Sequence, residues 1–248
     1  MSILLVNDDG IHAKGIEIAR SALASMGEQV IVFAPDKERS ACSHSVTLSD
    51  PLEVTQLGRD SFMSSGTPVD CVKLALTTIL DDPKPSLIVS GINAGSNAGI
   101  ASRYSGTVAG AAEACMMGYK SIAISVSSHK PTHFITAAEI LVKIATKVLK
   151  NGLPDGTFLN INVPDLPYEE LRGIKFVPQT ATFFDDHYVK YIAPNNREYF
   201  WINGDIHVTD ERDEHDVGCL SDGYVVITPL KLDMTSYELL DEIKGWQL

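Results

Sequence analysis

Cysteine is scarce and scattered in this chain. The four thiols, Cys42, Cys71, Cys115 and Cys219, form no CxxC pair, which excludes the common structural zinc and dithiol redox motifs. Cys71 and Cys115 fall in apolar helical patterns and read as small core residues. Long apolar runs are missing too. Residues 85–102 carry no charge over 18 positions, but they are rich in Gly, Ser and Asn, a loop composition rather than a lipid-facing one. The opening MSILLVNDDG has no basic region before Asp8 and Asp9. It does not read as a signal peptide, and a cytoplasmic protein with reduced thiols is expected. No GxGxxG fingerprint, no P-loop and no GxSxG elbow occurs, which argues against a dehydrogenase, a P-loop NTPase and an acyl hydrolase. Positive charge is in short supply: 20 Lys and Arg face 32 Asp and Glu, a net charge of −12. That balance excludes non-specific binding to nucleic acid or to an anionic membrane face as a first reading.

What is present is ordinary for a globular protein, with 44% hydrophobic and 21% charged residues. At about 150 residues per domain, 248 residues make one large α/β domain or a core with an extension. The first half carries net −4 and the second net −8, with seven acids between Asp205 and Asp222. An acidic run of this kind reads first as a solvated loop.

The hydrophobic pattern alternates between buried strands and amphipathic helices. Ile3–Val6 and Val30–Ala34 read as parallel strands flanking a helix over Gly15–Met26. Val46–Leu57 alternates as an exposed antiparallel strand. Thr67, Pro68 and Asp70 mark the start of a helix that runs to about Leu80. Leu87–Ser90 is a third core strand and leads into the loop GINAGSNAG. Gly106–Met117 is an Ala- and Gly-rich helix, Ser121–Val126 a fourth strand, Thr132–Lys150 a long helix and Phe158–Val163 a fifth strand. Beyond Pro164 short alternating segments predict hairpins and extended arms, then a core strand at Tyr224–Ile227 and a last helix at Ser236–Ile243. The expectation is a three-layer, doubly wound, Rossmann-like α/β core over residues 1–165, with a β-rich extension over 166–248.

In open α/β sheets ligands bind beyond the carboxyl ends of the strands. Asp8 and Asp9 follow the first strand, Ser40 follows the second beside Arg39, and Asn93 and Asn97 follow the third amid glycines. Such a set of oxygen donors suits a hard divalent cation, Mg²⁺ or Mn²⁺. A turn carrying one helix cap is the plainer reading of Asp8-Asp9, and a simple Gly-rich connection that of the 91–99 loop. Ser105, Gly106 and Thr107 open a helix, where free N–H groups favour an anion. Ordinary capping by Ser105 is the alternative there. His44, next to Ser43 in the Ser40 loop, is the histidine best placed for a proton role or a substrate contact.

Five segments in this order resemble the SurE family of stationary-phase survival proteins: ILLVNDDGIHAKGI, APDKERSACSHSVTL, GTPVDCV, VSGINAGSN and YSGTVAGAAEA. SDGYVVITPL is similar to the family's last core strand. The resemblance implies a metal-dependent 5′/3′-nucleotidase with metal ligands Asp8, Asp9, Ser40 and Asn93. It implies a phosphate pocket at Gly95, Asn97, Ser105, Gly106 and Thr107, with Ser43 and His44 beside it. Asp8 and Asp9 would be catalytic, with one Mg²⁺ or Mn²⁺ per subunit. It also implies a homodimer or homotetramer assembled through the C-terminal arm. Two positions depart from the pattern: Ala41 stands where Gly is expected, and Ser96 where Pro is common. A non-catalytic metal and nucleotide sensor is the rival reading, and a phosphohydrolase with polyphosphate as substrate another.

Overall fold

The computed structural model describes residues 1–80, 82, 84–209, 212 and 214–246. Asp210, Glu211 and Asp213 of the acidic run, and the last two residues of the extension, lie outside the described residues.

The chain opens with strand β1 (Ser2–Val6), helix α1 (Lys14–Ala24) and strand β2 (Gln29–Pro35), and β1 and β2 pair in parallel. β3 (Val54–Gly58) and β4 (Ser61–Ser64) form a short hairpin, and β4 adds to β2 in parallel. The strand expected over Val46–Leu57 therefore begins only at Val54. Before it, Asp70 accepts hydrogen bonds from Thr47 N–H and Oγ1, which hold that stretch as a loop. Helix α2 (Pro68–Leu74) starts with the capping box predicted from Thr67 and Asp70 and continues through a wider turn at Ala75–Ile79.

Strand β5 (Leu87–Ala94) lies beside β1 on the side away from β2. Helix α3 (Gly106–Met116), strand β6 (Ser121–Val126), helix α4 (Phe134–Asn151) and strand β7 (Thr157–Val163) complete the parallel part. β5 runs four residues beyond the Ser90 limit read from sequence, with a register shift between Ser90 and Asn93. Asn93 is thus inside the end of a strand rather than in a loop.

After β7 come β8 (Ile174–Phe176), the long strands β9 (Thr182–Ile192) and β10 (Glu198–Val208), helix α5 (Asp216–Ser221), strand β11 (Val225–Lys231) and helix α6 (Tyr237–Ile243). β11 pairs antiparallel with β7 and parallel with β8, closing a nine-stranded sheet in the order β3-β4-β2-β1-β5-β6-β7-β11-β8. β9 and β10 form a separate two-stranded ribbon. It carries exposed Tyr188, Tyr191, Phe200 and Trp201, the last 67% exposed.

Strand periodicity explains the three layers. Ile3 and Leu5 pack with Ile16, Leu23, Ile140 and Leu141 under α1 and α4. Leu4 and Val6 point the other way, to Cys71, Val72 and Ala114 of α2 and α3. Each large aliphatic side chain buried this way contributes about 1.5–3 kcal/mol. The order β2-β1-β5 reverses direction between β1 and β5. That is the point of an α/β sheet where a crevice opens beyond the strand ends.

Candidate active site

Asp8 and Asp9 leave β1 at this crevice. Asn7 shapes their turn: its Nδ2 donates to Gly10 O at 2.9 Å and its Oδ1 accepts from Gly10 N. Asp8 is buried. The hydroxyl of Thr107 donates to its Oδ1, and the N–H groups of Gly106 and Thr107 also point to its carboxylate. The helix N-terminus assigned from sequence to an anion therefore faces an anion of the chain itself. Burial raises the Asp8 pKa above the usual carboxylate range even against these donors. Asp9 is pushed up to about 6, first by burial, then by the neighbouring charges of Asp8 and Glu38.

Gly106 fits between Asp8 and Cys42. A Cβ there would stand 2.8 Å from Asp8 Cβ and from Cys42 Sγ, so only glycine lets α3 approach the carboxylate this closely. Burial and the Asp8 charge push the Cys42 thiol up, which keeps it protonated and a poor metal ligand.

The end of β5 meets the same crevice. Ala94 N donates to Asp9 Oδ2 at 3.3 Å. Asn93 Nδ2 donates to Gly95 O at 2.8 Å, which leaves the side-chain oxygen as the end for a ligand. Gly95 holds φ at +129°, a conformation that a side chain disfavours.

The loop after β2 is tied to both neighbours. Arg39 N donates to Asp8 O at 2.7 Å, Ser43 N to Tyr104 O at 3.0 Å, and Ser43 Oγ to Arg103 O at 2.7 Å. Ala41, where the resemblance leads to an expectation of glycine, takes φ +57°. The backbone explains why glycine is the easier residue there. Arg39 pairs with Asp36 at 3.1 Å.

Three predicted residues have other partners. Ser40 Oγ donates to Glu38 Oε1 at 2.6 Å. Asn97 is drawn into a buried amide cluster: its Nδ2 donates to Ser125 Oγ, its N–H to Asn162 Oδ1, both at 2.8 Å, and its carbonyl accepts from Asn160 Nδ2. His44 Nε2 lies 2.8 Å from Glu113 Oε2. Sequence reading missed Glu113, Asn160 and Asn162. Glu113 had a visible signal, as the one charged residue in the Ala-rich helix.

Among the described residues no group of three or more His, Cys, Asp or Glu is arranged to hold a metal ion. The crevice offers two carboxylates and neutral oxygens instead. Two adjacent carboxylates, one buried and one partly buried, an amide oxygen and a hydroxyl form a hard-donor set that fits a hydrated Mg²⁺ or Mn²⁺. Beside Ser105 and His44 a cleft of ≈ 860 Å³ opens along α3, walled by Val108, Ala112, Met116 and Phe158.

The family model described as Survival protein SurE matches residues 3–186. The chain is 42% identical over 250 residues to the 5′-nucleotidase SurE of Geotalea daltonii, covering 100% of both chains. It is 41% identical over 244 residues to that of Aquifex aeolicus, covering 98% of this chain and 97% of the relative. The crystal structure of the SurE protein from Aquifex aeolicus superposes with a TM-score of 0.87 at 40% identity, over 98% of each chain.

Proposed function

The chain belongs to the SurE family, and we propose that it is a metal-dependent phosphomonoesterase that hydrolyses nucleoside 5′-monophosphates, and 3′-monophosphates as well, to nucleoside and phosphate. The relatives named 5′-nucleotidase support the reaction class. The observation in this chain that carries it is the contact of Asp8, next to Asp9, with the N-terminus of α3, whose capping Ser105 also lines a partly apolar cleft. A carboxylate pair beside helix N–H donors suits a phosphoryl group, and the cleft suits a nucleoside.

In this reading Asp8, Asp9, Asn93 and Ser40 hold one divalent cation, with the Ser40 hydroxyl exchanging Glu38 for the ion. Bound there, the ion supplies Lewis acidity and offsets the charge of the carboxylates. Ser105 supplies a donor to phosphoryl oxygens, and Gly106 N–H and Thr107 turn to them from Asp8 once the cation offsets the Asp8 charge. Asp9 takes the proton from an attacking water. Asn97 acts through the shape of its loop, since its amide is bonded inward. A phosphoryl group trapped on Asp8 or Asp9 after acid quench would replace water attack with carboxylate attack.

The β9–β10 ribbon is proposed as the arm through which copies form a dimer or tetramer, with residues 166–248 as the assembling extension. An isolated two-stranded ribbon with exposed aromatics is only marginally stable alone. A cytoplasmic location and a side activity on short polyphosphate belong to the same proposal. Described helices include none long and apolar enough to cross a membrane.

The decisive experiment is a phosphate-release panel of nucleoside 5′- and 3′-monophosphates, short polyphosphate and an aryl phosphate, with Mn²⁺, Mg²⁺ or EDTA. Release from nucleotides that EDTA abolishes is the expected result. Saturable nucleotide binding without release would establish the sensor reading instead.

A further inference from the structure

Glu113 lies within α3 with its carboxylate only 4% exposed, and it makes two strong contacts. Lys73 Nζ of α2 donates to Oε1 at 2.6 Å, and His44 Nε2 lies 2.8 Å from Oε2. Burial works against ionisation of Glu113, but Lys73 and His44 outweigh it and hold its carboxyl below the usual range. Lys73 already supplies the compensating positive charge. The second carboxylate oxygen is left to orient the imidazole. A carboxylate can only accept, so it takes the Nε2 proton and leaves Nδ1 as the ring atom for a ligand.

The position of that imidazole follows from the helix. Ser43 is fixed to the carbonyls of Arg103 and Tyr104, just before α3. Glu113 is seven residues past Gly106, about 10 Å along the axis, and helical side chains lean back towards the N-terminus. The His44 ring therefore lies roughly one turn beyond the Ser105–Thr107 donors. It lines the cleft between Ser105 and the apolar end at Met116 and Phe158. In a nucleotide the sugar lies between phosphate and base.

We propose that His44, oriented by Glu113 and Lys73, is a specificity residue that hydrogen-bonds a ribose hydroxyl of the substrate, and that Glu113 is its positioning residue. This rests on the nucleotidase reading above. The hydroxyl donates to the Nδ1 lone pair, which stays free only while Glu113 holds the ring proton on Nε2.

Glu113→Gln is the informative variant. Its amide oxygen goes to the Lys73 ammonium, so its NH₂ turns to His44 and demands the opposite tautomer. The holoenzyme with Mn²⁺ is assayed on adenosine 5′-monophosphate and on its 2′,3′-dideoxy analogue. The expected result is a loss of about tenfold in kcat/KM on the ribonucleotide, carried by KM, as removal of one substrate hydrogen bond entails, with a loss below about threefold on the dideoxy analogue. In a His44→Ala background Glu113→Gln should add less than about twofold, because the two act as one unit. Equal losses on both substrates, or additive losses in the double variant, would overturn the assignment while leaving the nucleotidase reading intact. Wild-type protein that releases no phosphate from any nucleotide would overturn both. Should Glu113→Gln fail to fold, His44→Ala, at a partly exposed side chain, carries the same comparison of substrates.

Discussion

The wholly buried carboxylate of Asp216 accepts the backbone N–H of Gly99 at 2.8 Å from 117 residues away. Its other oxygen accepts the N–H groups of Thr180 and Val217, each at 2.8 Å. Thr180 stands just before β9, and Gly99 closes the Gly-rich loop that follows β5. One side chain thus holds the base of the ribbon and the Gly-rich loop together. Gln179 adds to this, with its Nε2 donating to Gly99 O at 2.6 Å and Ser102 Oγ at 2.8 Å.

Asp216→Asn should destabilise the fold by about 2–4 kcal/mol, because an amide cannot accept at both ends and leaves buried N–H groups unpaired. For a chain of this size the melting temperature should fall by roughly 4–16 °C. Differential scanning calorimetry checks this. A melting temperature unchanged within error would mean the clamp carries no stability.

Asp9→Asn should reduce turnover below about one-hundredth of wild type and weaken Mn²⁺ binding, since a ligand charge and the proton acceptor go together. Titration calorimetry and phosphate release measure the two effects separately. Full metal-dependent activity in this variant would remove Asp9 from the mechanism.

Gly106→Ala tests the approach of α3 to Asp8. Alanine is the better helix former by about 1 kcal/mol, so local propensity alone predicts a more stable protein. The 2.8 Å contacts with Asp8 Cβ and Cys42 Sγ predict the reverse for the site, because helix and carboxylate must separate. A folded protein, by circular dichroism, with activity lowered about tenfold or more is the expected outcome.

Asp70 gives the pH dependence. Burial opposes its ionisation, but hydrogen bonds from Thr47 and Thr67 prevail and its folded pKa is lowered. A depressed acid contributes stability above its unfolded pKa, near 3.9, and loses it as pH falls through the folded value. Asp70→Asn should therefore be less stable than wild type by about 1–3 kcal/mol at pH 7, and the gap should shrink as acid protonates the wild-type carboxyl. Urea unfolding at several pH values reads it. A gap that stays constant down to pH 2 would show that the charge is not what matters.

The parallel core was legible because its strands announce themselves. Ile3–Val6 and Val30–Ala34 are apolar on both faces, as strands covered on both sides must be, and Ser121–Val126 is buried throughout with small serines on one face. Thr67-Pro68 and Ser105 marked helix starts for the same local reason, and both side chains do cap. The residues that gather round Asp8 were legible as a list of strand ends. Their pairings were not. Nothing in residue spacing shows that Thr107 donates to Asp8, or that Asn97 turns inward to Ser125, because those contacts join segments far apart in sequence. β4 escaped notice because Ser61–Ser64 is short and only half apolar, and the end of β5 because Gly91 and Asn93 resemble a loop. α5 is a six-residue helix inside an acidic stretch, where charge hides its capping by His215.

Only two tryptophans occur in the chain, Trp201 on the ribbon and Trp246 after α6, and they are 67% and 60% exposed. Both stand away from the buried clusters of the nine-stranded sheet. Intrinsic indole fluorescence of this protein therefore reports on its periphery. A blue shift of the emission maximum on raising the protein concentration would register the ribbon being covered by another copy. Loss of the core at high denaturant would have to be followed by another signal.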